Sequence, residues 1–393
     1  MSPPPSLSSR AEALQPSLTL AISARAKALK LEGRDICSLS AGEPDFGTPD
    51  FIVEASVQAL RDGLTRYGPA AGDPELREAI ARKLSAENAI PTTASEVMVT
   101  NGGKQAIYNL FQVLLNPGDE VLIPSPYWLS YPEMAKLAGA EPVVISSSAE
   151  QGFKLDLQAL EAAITPQTKL LVINTPSNPT GRVSDREELE AVAELVRRHP
   201  QLLVMSDEIY EYLLEEGETH HSFASVAPDL ADRTFVVNGF AKGWAMTGWR
   251  LGYLAGRSEV IKAAAALQSQ STSNVCSFAQ RGALAALRGP HDCVTAMAAS
   301  YNRRRRLLVE GLQAMDGLTL AVPRGAFYAF PQLPDHCSDS LSFCETALEQ
   351  EGLALVPGAA FGNDRCVRLS CAVSHETIVE GLSRMKRLIA NQT

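Results

Sequence analysis

The sequence predicts an α/β protein in which helices cover both faces of a mostly parallel sheet, with a smaller α+β unit beside it. In the middle of the chain, apolar segments of four to six residues alternate with amphipathic stretches of helical period. Towards the C-terminus this alternation stops, and β-like segments follow a long polar helix. We therefore expect a flexible segment at 1–16, a small domain formed by 17–44 and 291–393, and a large domain at 45–290.

The composition is that of a globular protein and argues against several classes of function. Of the 393 residues, 45% are hydrophobic and 20% are charged, which argues against intrinsic disorder. The net charge of −10 argues against nucleic-acid and anionic membrane partners, because both require a basic face. No apolar run is long enough to span a membrane, and the N-terminus lacks the apolar core of a signal peptide. Seven cysteines without a CxxC pair predict reduced thiols in a cytoplasmic protein.

The elements ahead of the alternating region are predicted from caps and helix breakers. A first helix is expected from Leu18 to Leu31. The segment AGEPDFGTP at 41–49 contains too much Gly and Pro for regular structure and predicts a specialised loop. A further helix is expected to begin at Pro74, with Asp73 as its N-cap, because proline suits the first helical position and aspartate the cap.

The strands are predicted from short apolar segments, each followed by a turn or a helix signal. In the large sheet they are expected at Val97–Thr100, Glu120–Pro124, Lys169–Asn174, Leu202–Ser206, Thr234–Asn238 and Leu251–Ala255. Helices are expected between them, including one that begins with a capping box between Ser184 and Glu187. In the C-terminal part, strands are expected at Gly317–Val322, Gly325–Phe330 and Val367–Ser370, ahead of a final amphipathic helix.

Polar residues follow the carboxyl ends of four predicted strands, where open α/β sheets bind their ligands. They are Asn101-Gly-Gly-Lys104, Asn178, Asp207 with Tyr210, and Lys242 with Arg250. The Gly-Gly turn leads into a helix, whose free N–H groups and dipole can hold a phosphate. Singly, each residue has an ordinary structural explanation, such as a turn or a solvated charge. Together they offer an anion cradle, an amide, a carboxylate and a lysine with a nearby arginine.

This combination suits pyridoxal 5′-phosphate, whose aldehyde needs a lysine, whose pyridine nitrogen needs a carboxylate and whose phosphate needs a cradle. The sequence has no GxGxxG, GxxxxGK[ST], GxSxG or HExxH motif, so the usual dinucleotide, nucleotide, hydrolase and zinc sites lack their anchors. The six histidines show no ligand spacing, and we expect no metal site.

Nine longer motifs lie along almost the whole chain after residue 16: AGEPDF at 41–46, YGPAAGDPELREA at 67–79, TNGGKQAIYNLF at 100–111, PYWLSYPEM at 126–134, SNPTG at 177–181, SDEIYEYL at 206–213, AKGWAMTGWRLGY at 241–253, GAFYAFP at 325–331 and VRLS at 367–370. In combination they resemble the class I aminotransferases of pyridoxal-phosphate fold type I. The resemblance is strongest to the bacterial-type "Ib" aspartate aminotransferases, a branch that also contains aspartate/glutamate–prephenate aminotransferases. It implies ping-pong exchange of an amino group between L-aspartate or L-glutamate and 2-oxoglutarate or oxaloacetate, with prephenate as a further acceptor.

The resemblance also implies a role for each residue around the cofactor ring. Lys242 forms the Schiff base with the cofactor and later moves the proton between the substrate and the cofactor. Asp207 pairs with the pyridine nitrogen. Asn178 and Tyr210 hydrogen-bond the phenolic oxygen, and Trp128 stacks on the ring.

The phosphate is assigned, by the same resemblance, to the backbone N–H groups of Gly103 and Lys104 and to the Arg250 side chain. Tyr67 is implied to reach the phosphate of the other subunit, so a homodimer is expected. Many enzymes of this fold type carry a hydroxyl residue three positions before the Schiff-base lysine, whereas this chain has Gly239 there.

The substrate is expected to bind through its carboxylates. Arg368 is implied to grip the α-carboxylate, with additional donors from the Gly42 backbone and from Asn178, and Trp128 lies beside the substrate. A planar guanidinium suits this role because it forms two parallel bonds to a carboxylate. Lys104 has two interpretations: it selects the distal carboxylate of a dicarboxylic substrate, or it points to water.

Two alternatives to an aspartate aminotransferase stay open. One is an aminotransferase of aromatic or other amino acids, and the other is a C–S β-lyase on the same fold, which would not need a clamp for a distal carboxylate. Thr48 matches a position that the prephenate branch links to its keto acid. The run Arg303–Arg306 is expected to form solvated or inter-subunit salt bridges, because four successive helical residues cannot share one face.

Overall fold

The central sheet has the strand order β2-β8-β7-β6-β5-β3-β4. The structure is a computed structural model, which describes residues 7–12, 14 and 18–391. Its strands are β1 Cys37–Ser38, β2 Val97–Thr100, β3 Glu120–Pro124, β4 Glu141–Ile145, β5 Thr168–Asn174, β6 Leu203–Asp207, β7 Thr234–Gly239, β8 Gly252–Ala255, β9 Tyr328–Ala329, β10 Leu353–Ala354, β11 Val356–Pro357 and β12 Val367–Ser370. Strand β8 runs opposite to the other six strands of the described sheet, which confirms the mostly parallel prediction.

Some of the described helices cover both faces of this sheet, as predicted, and others pack in the C-terminal part of the molecule. The helices are α1 Ser9–Glu12, α2 Leu18–Leu31, α3 Asp50–Arg61, α4 Pro74–Glu87, α5 Gly103–Leu114, α6 Ser130–Leu137, α7 Leu157–Ala162, α8 Arg186–Arg198, α9 Phe223–Val226, α10 Ser258–Ser271, α11 Ser277–Arg288, α12 Asp292–Gln313, α13 Ser340–Gln350 and α14 His375–Asn391. Buried Ile107 and Leu110 of α5 pack with Ile123 in one core cluster. Leu189 of α8 packs with Leu171 in another, so the sheet is covered on both sides.

The six strands predicted for the large sheet agree with the observed strands within two residues. Helix α2 spans Leu18–Leu31 as predicted, and Asp73 caps α4 by accepting hydrogen bonds from the backbone N–H groups of Glu75 and Leu76. Strand β4 was not predicted. It lies at the edge of the described sheet, beside β3, and is partly exposed, so its sequence lacks the continuous apolar run of a central strand.

The predicted capping box at Ser184 is wrong. Helix α8 begins one residue later than expected, with Asp185 as the N-cap, whose carboxylate accepts from the backbone N–H of Glu188 at 2.8 Å. Ser184 is instead buried, and its backbone N–H donates to the hydroxyl of Thr175 at 2.9 Å. A tertiary hydrogen bond therefore draws Ser184 out of the cap position.

The C-terminal strands are shorter than predicted. The expected strand Gly317–Val322 is wrong, because only Thr319 forms an isolated bridge, to Gln332. The expected strand Gly325–Phe330 is reduced to Tyr328–Ala329. Ala326 has φ +53°, a left-handed conformation that interrupts an extended strand. The sheet β11-β12-β9 and the parallel pair β1-β10 form this part of the molecule.

A separate core cluster fills the C-terminal part. It joins Leu39 to residues of α12, α13 and α14 and to Val367 of β12. The predicted domain boundaries stay a prediction. Of the segment expected to be flexible, residues 1–6, 13, 15 and 16 lie outside the described residues, whereas Ser9–Glu12 forms a short helix.

The fold bears on two further predictions. All seven cysteines lie in the described part of the chain and none forms a disulfide, as predicted from their spacing. Among the described helices, none is both long and apolar enough to cross a membrane.

Candidate active site

The site is built where the parallel strands β5 and β6 end side by side. Asn174 and Asp207, the last residues of these strands, are partners in the register. The Asn174 side chain donates from Nδ2 to the Asp207 carbonyl at 3.0 Å and accepts from the Asn178 backbone N–H at 2.9 Å. Asn174 therefore fixes the loop that carries Asn178. Asn174 was not among the predicted site residues, although a polar residue that ends an apolar strand could have indicated it.

The Asp207 carboxylate is buried and held from two sides. It accepts from the Tyr131 hydroxyl at 2.7 Å and from the Ile209 backbone N–H at 3.3 Å. Burial raises the pKa of Asp207 to about 6, although the hydrogen bond from Tyr131 opposes that shift. At neutral pH the carboxylate is thus ionised but poorly solvated, and a nearby cation would stabilise it. Tyr131 was not predicted either, and only the motif around residues 126–134 pointed to it.

Lys242 follows β7, and its amine donates to the Gly42 carbonyl at 2.6 Å. The amine lies 5.5 Å from the centroids of the Tyr210 and Phe327 rings. In the described part of the chain, no carboxylate lies within ion-pair distance of it. Burial, reinforced by the Arg368 guanidinium, lowers the pKa of Lys242 to about 8. Lys242 can therefore lose and regain a proton near neutral pH.

Two tyrosines, Tyr210 and Tyr328, lie beside the Lys242 amine and the Gly42 carbonyl. The hydroxyls of Tyr210 and Tyr328 are 2.9 Å apart, and the Tyr328 hydroxyl donates to the Gly42 carbonyl at 3.5 Å. Both rings are buried, and burial raises the pKa of Tyr210, so its hydroxyl stays a proton donor. Tyr328 is a site residue that the sequence did not single out, although it lies inside the GAFYAFP motif.

Arg368 of β12 is a buried guanidinium, only 3% exposed. It donates to Asn178 Oδ1 at 3.0 Å and to the Ser40 carbonyl at 3.2 Å, and it lies 4.4 Å from the centroid of the Tyr328 ring. Its Nε is buried without a hydrogen-bond partner, and none of the described carboxylates pairs with it. A buried cation with an unused donor is an arrangement that a carboxylate ligand would complete.

A cradle lies at the N-terminus of α5. Gly102 caps the helix with φ +83°, and a Cβ there would lie 2.7 Å from a terminal nitrogen of Arg250. The Arg250 guanidinium is fixed by bonds to the carbonyls of Thr247, at 2.9 Å, and Asn101, at 3.2 Å. The guanidinium thus lies against the free N–H groups of the helix, and both favour an anion.

Strands β7 and β8 and the start of α5 lie close together at three glycines, Gly239, Gly252 and Gly103. This packing explains why position 239 holds glycine and not a hydroxyl residue. A Cβ at Gly239 would lie 2.7 Å from the Gly252 Cα, and a Cβ at Gly252 would overlap the Gly103 backbone nitrogen. No serine or threonine fits at position 239 without displacing β8. The departure from the family pattern is therefore a packing requirement of this chain.

Lys104 lies in the first turn of α5, with its amine 4.9 Å from the centroid of the Trp128 ring. Burial and the Arg250 charge lower the pKa of Lys104. Trp128 packs edge-on against Tyr131 at 5.3 Å, which connects it to Asp207. The structure thus brings Lys104, Trp128, Arg250 and Asp207 into one neighbourhood.

Comparison with known proteins agrees with this arrangement. The family model for aminotransferase class I and II matches residues 34–385. The chain belongs to this family. A bifunctional aspartate aminotransferase and glutamate/aspartate-prephenate aminotransferase from Petunia hybrida is 46% identical over 98% of the chain and 83% of its own length. An aspartate/prephenate aminotransferase from Cereibacter sphaeroides is 44% identical over 96% of the chain and 97% of its own length.

Solved structures confirm the predicted fold of this aminotransferase. An aspartate aminotransferase from Thermus thermophilus with maleate superimposes with a TM-score of 0.94, at 47% identity, over 98% of the chain and 100% of that structure. The α/β architecture with its mostly parallel sheet is therefore that of the fold type I aminotransferases.

Two predicted residues of the aminotransferase lie apart from the others or have another role. Tyr67 is 91% exposed, and within the single chain it contacts none of the predicted site residues. Thr48 lies beside the site, but its hydroxyl donates to the Ala245 carbonyl at 2.8 Å and accepts from Trp249 Nε1 at 2.9 Å. Thr48 is thus already engaged in holding its own loop.

The expectation of solvated or inter-subunit salt bridges for the arginine run is wrong for two of its members. Arg304 pairs with Asp45, and Arg305, which is 1% exposed, pairs with Glu215. Both pairs lie within the chain and are at least partly buried, because α12 passes beside the loops that carry these acids. Arg306 also pairs with Glu215, but its side chain is exposed, which agrees with a solvated salt bridge.

Proposed function

We propose that this aminotransferase uses pyridoxal 5′-phosphate to exchange the amino group between L-aspartate or L-glutamate and 2-oxoglutarate or oxaloacetate. The observation that carries the proposal is a pair of cations, the half-buried Lys242 and the buried Arg368, neither of which has a carboxylate partner among the described residues. A buried charge without a partner is strongly unfavourable. A site that holds these two cations on either side of Gly42 is suited to an anionic amino acid.

The residues fit the three chemical features of pyridoxal phosphate. Asp207, buried and ionised at neutral pH, suits a protonated pyridine nitrogen. The start of α5, with Gly103 and Lys104 N–H groups and the Arg250 guanidinium over Gly102, suits a phosphate. Lys242 would hold the aldehyde carbon. When bound, the cofactor supplies a ring that accepts electrons and so stabilises negative charge at the substrate Cα.

The chain's own residues would hold and move the protons. The pKa of Lys242, about 8, lets Nζ accept the Cα proton and return it. The Tyr210 hydroxyl and the Asn178 amide, whose Oδ1 is occupied by Arg368, are donors for the phenolic oxygen of the cofactor. Trp128, edge-on to Tyr131, would cover one face of the ring.

The substrate carboxylates would be bound by three groups, Arg368, the Gly42 peptide and Lys104. Arg368 offers its unused Nε to the α-carboxylate, and the Gly42 peptide lies beside it, since a Cβ on Gly42 would be 3.9 Å from the guanidinium. Lys104 would take the distal carboxylate, because its amine lies over Trp128 without an acidic partner in the described chain. The names of the relatives support aspartate as substrate and prephenate as a further acceptor.

We further propose a cytoplasmic homodimer in which Tyr67 reaches the partner's site. The support is its 91% exposure, which is exceptional for a large ring. The domains would be 17–44 with 291–393, and 45–290. The gap between them would then run along the site, since Arg368 and Lys242 fall in different domains.

The proposal is tested by the absorbance of the purified protein with added cofactor, before and after L-aspartate alone. The yellow band of bound cofactor is expected to give way to that of its amino form, with release of oxaloacetate. Prephenate is then offered as the acceptor. A band that aspartate leaves unchanged would favour an aromatic aminotransferase or a C–S β-lyase, and the absence of any band would overturn the cofactor site.

The role of Lys104 has its own test. Lys104→Ala is expected to reduce kcat/KM for aspartate and glutamate by about tenfold to a hundredfold, as for a lost hydrogen bond to a charged group. L-Alanine, measured with the same variant, is the control and should be affected far less. Equal losses for all three amino acids would show that Lys104 does not read the distal carboxylate.

A further inference from the structure

The loop at 42–48 is attached to the segment that carries Lys242. Its Gly42 carbonyl accepts from the Lys242 amine at 2.6 Å, and its Glu43 carboxylate accepts from the Thr247 hydroxyl at 2.8 Å. The Thr48 hydroxyl donates to a carbonyl of the same segment at 2.8 Å. These bonds fix the two ends of the loop. The middle of the loop has to be held from elsewhere.

Helix α12 holds the middle of the loop through Arg304. One terminal nitrogen of Arg304 donates to both carboxylate oxygens of Asp45, at 2.8 and 2.7 Å. The Arg304 guanidinium carbon lies 5.2 Å from the centroid of the Phe46 ring, which packs edge-on against Tyr301 at 5.4 Å. The ion pair is partly buried, with the Arg304 side chain 18% exposed, so solvent screens it less than a surface pair.

The base from which Arg304 extends is itself rigid. The next residue, Arg305, is buried and donates to the Ala326 carbonyl at 2.6 Å and to Glu215 at 2.9 Å. Two residues beyond Ala326, Tyr328 donates to the Gly42 carbonyl. Helix α12 thus reaches the loop through the Tyr328 hydroxyl and through Asp45, whose carboxylate receives the Arg304 ion pair and a longer hydrogen bond, at 3.4 Å, from the Tyr301 hydroxyl of the same helix.

We propose that Arg304 is a positioning residue for substrate binding. It acts through Asp45, by fixing the 42–48 loop so that the Gly42 peptide stays between Lys242 and Arg368, where the substrate α-carboxylate would bind. This inference rests on the proposed function. Its physical basis is preorganisation: a loop that is ordered before binding loses less entropy when the substrate arrives.

The kinetic test compares Arg304→Gln and Arg304→Lys with a matched control on the same helix. Arg304→Gln is expected to raise KM for L-aspartate about tenfold and to change kcat less than about twofold, because uniform binding is lost. Arg304→Lys should fall between, since lysine keeps the charge but lacks the planar guanidinium that stacks on Phe46. The control is Arg303→Gln, because Arg303 is exposed and its side chain has no partner among the described residues.

A second measurement does not depend on the substrate. Hydrogen–deuterium exchange of the peptide containing residues 42–48 is expected to be faster in Arg304→Gln than in the wild type and in Arg303→Gln. Unchanged exchange, or faster exchange with an unchanged KM, would overturn the proposal. If the wild type does not turn over L-aspartate, the proposed function fails, whatever the exchange experiment shows. If exchange of the 42–48 peptide in Arg304→Gln is no faster than in the wild type, Arg304 does not anchor the loop.

Discussion

Two groups of charged side chains in this molecule, both wholly or partly shielded from solvent, differ in whether they have partners of opposite charge. In the candidate site, Lys242 and Arg368 have no acidic partner in the described chain. Behind β6, the buried charges are paired. We call the second group the buried polar network, which consists of Lys83, Glu208, Glu211 and His220. Removing one partner of a buried ion pair destabilises the fold, whereas shielded charges without partners indicate where a ligand binds.

The buried polar network is filled by the chain itself. Glu208 accepts from the hydroxyls of Ser206, at 2.7 Å, and Ser222, at 2.6 Å. Glu211 forms an ion pair with Lys83 and accepts from Asn238 at 2.8 Å. The ligand atoms of Glu208, Glu211 and His220 lie within 4.8 Å of one another, a spacing that could hold a metal ion. A metal ion would have to displace these donors and the Lys83 charge, so the network is better explained as structural.

The largest expected effect is that of Lys242→Ala. Turnover of L-aspartate should fall by at least about ten-thousandfold, because the group that moves the proton is lost. The free energy of unfolding of the cofactor-free chain should fall by no more than about 1 kcal/mol, since one hydrogen bond and no ion pair is removed. Single-turnover kinetics and urea unfolding measure the two quantities. A variant that is inactive because it is unstable would contradict the comparison.

Lys83→Met should have the opposite pattern. Removing the amine leaves the Glu211 carboxylate buried without its ion partner, which is expected to lower the free energy of unfolding by about 3–5 kcal/mol. KM for L-aspartate should not change. The control is Lys136→Met, whose partly exposed pair with Glu133 is expected to contribute less than about 1 kcal/mol. Urea unfolding of both variants measures these two changes. Similar decreases in the free energy of unfolding would show that the buried Lys83–Glu211 pair contributes no more to stability than the partly exposed Lys136–Glu133 pair.

Arg368→Lys should reduce kcat/KM for L-aspartate by about a hundredfold, because lysine keeps the positive charge but cannot form two parallel bonds to a carboxylate. The free energy of unfolding should fall by no more than about 1.5 kcal/mol, since no acidic partner is lost and lysine can keep one of the two hydrogen bonds to Asn178 and the Ser40 carbonyl. Steady-state kinetics with urea unfolding tests both statements. A loss of stability comparable with the loss of activity would place Arg368 with the network instead of the site.

The residues of the candidate site that follow predicted strands could be located from the sequence more easily than the residues that hydrogen-bond to them. Asp207, Asn178 and Lys242 could be placed because apolar periodicity locates the ends of parallel strands, and those ends meet at one edge of the sheet. The residues that hold them could not. Tyr131 and Tyr328 come from a helix and a short strand far along the chain, and only the folded structure brings their hydroxyls to Asp207 and Tyr210.

The C-terminal part was predicted less well for a related reason. The strands there have two to four residues, so alternation along them is too short to detect. The left-handed Ala326 also carries no sequence signal, since alanine rarely adopts that conformation. Arg304 and Arg305 differ by one position in a run of identical residues, yet they bind different loops. Which loop each faces is a property of tertiary structure alone.

The smallest expected effect concerns His220, which the network holds by one bond. Its Nε2 lies 3.1 Å from Glu208 Oε2. Burial opposes a positive charge on His220, but the hydrogen bond and the charge of Glu208 outweigh it, so the pKa of His220 is raised above 6.5. Because the folded state holds the proton more tightly than the unfolded state, this stabilisation is complete below pH 6.5 and is lost as the pH rises through the raised pKa.

His220→Gln tests this dependence, because glutamine can still donate to Glu208 but carries no charge. At pH 6 the variant should unfold with a free energy lower than that of the wild type by about 0.5–1.5 kcal/mol. The difference should shrink between pH 7 and pH 9, while KM for L-aspartate stays equal to that of the wild type. The control is the neighbouring His221→Gln, since His221 forms no bond to Glu208 in the described structure. A difference that grows with pH would mean that His220 is neutral in the fold, and the network would then carry an unbalanced negative charge beside Asp207.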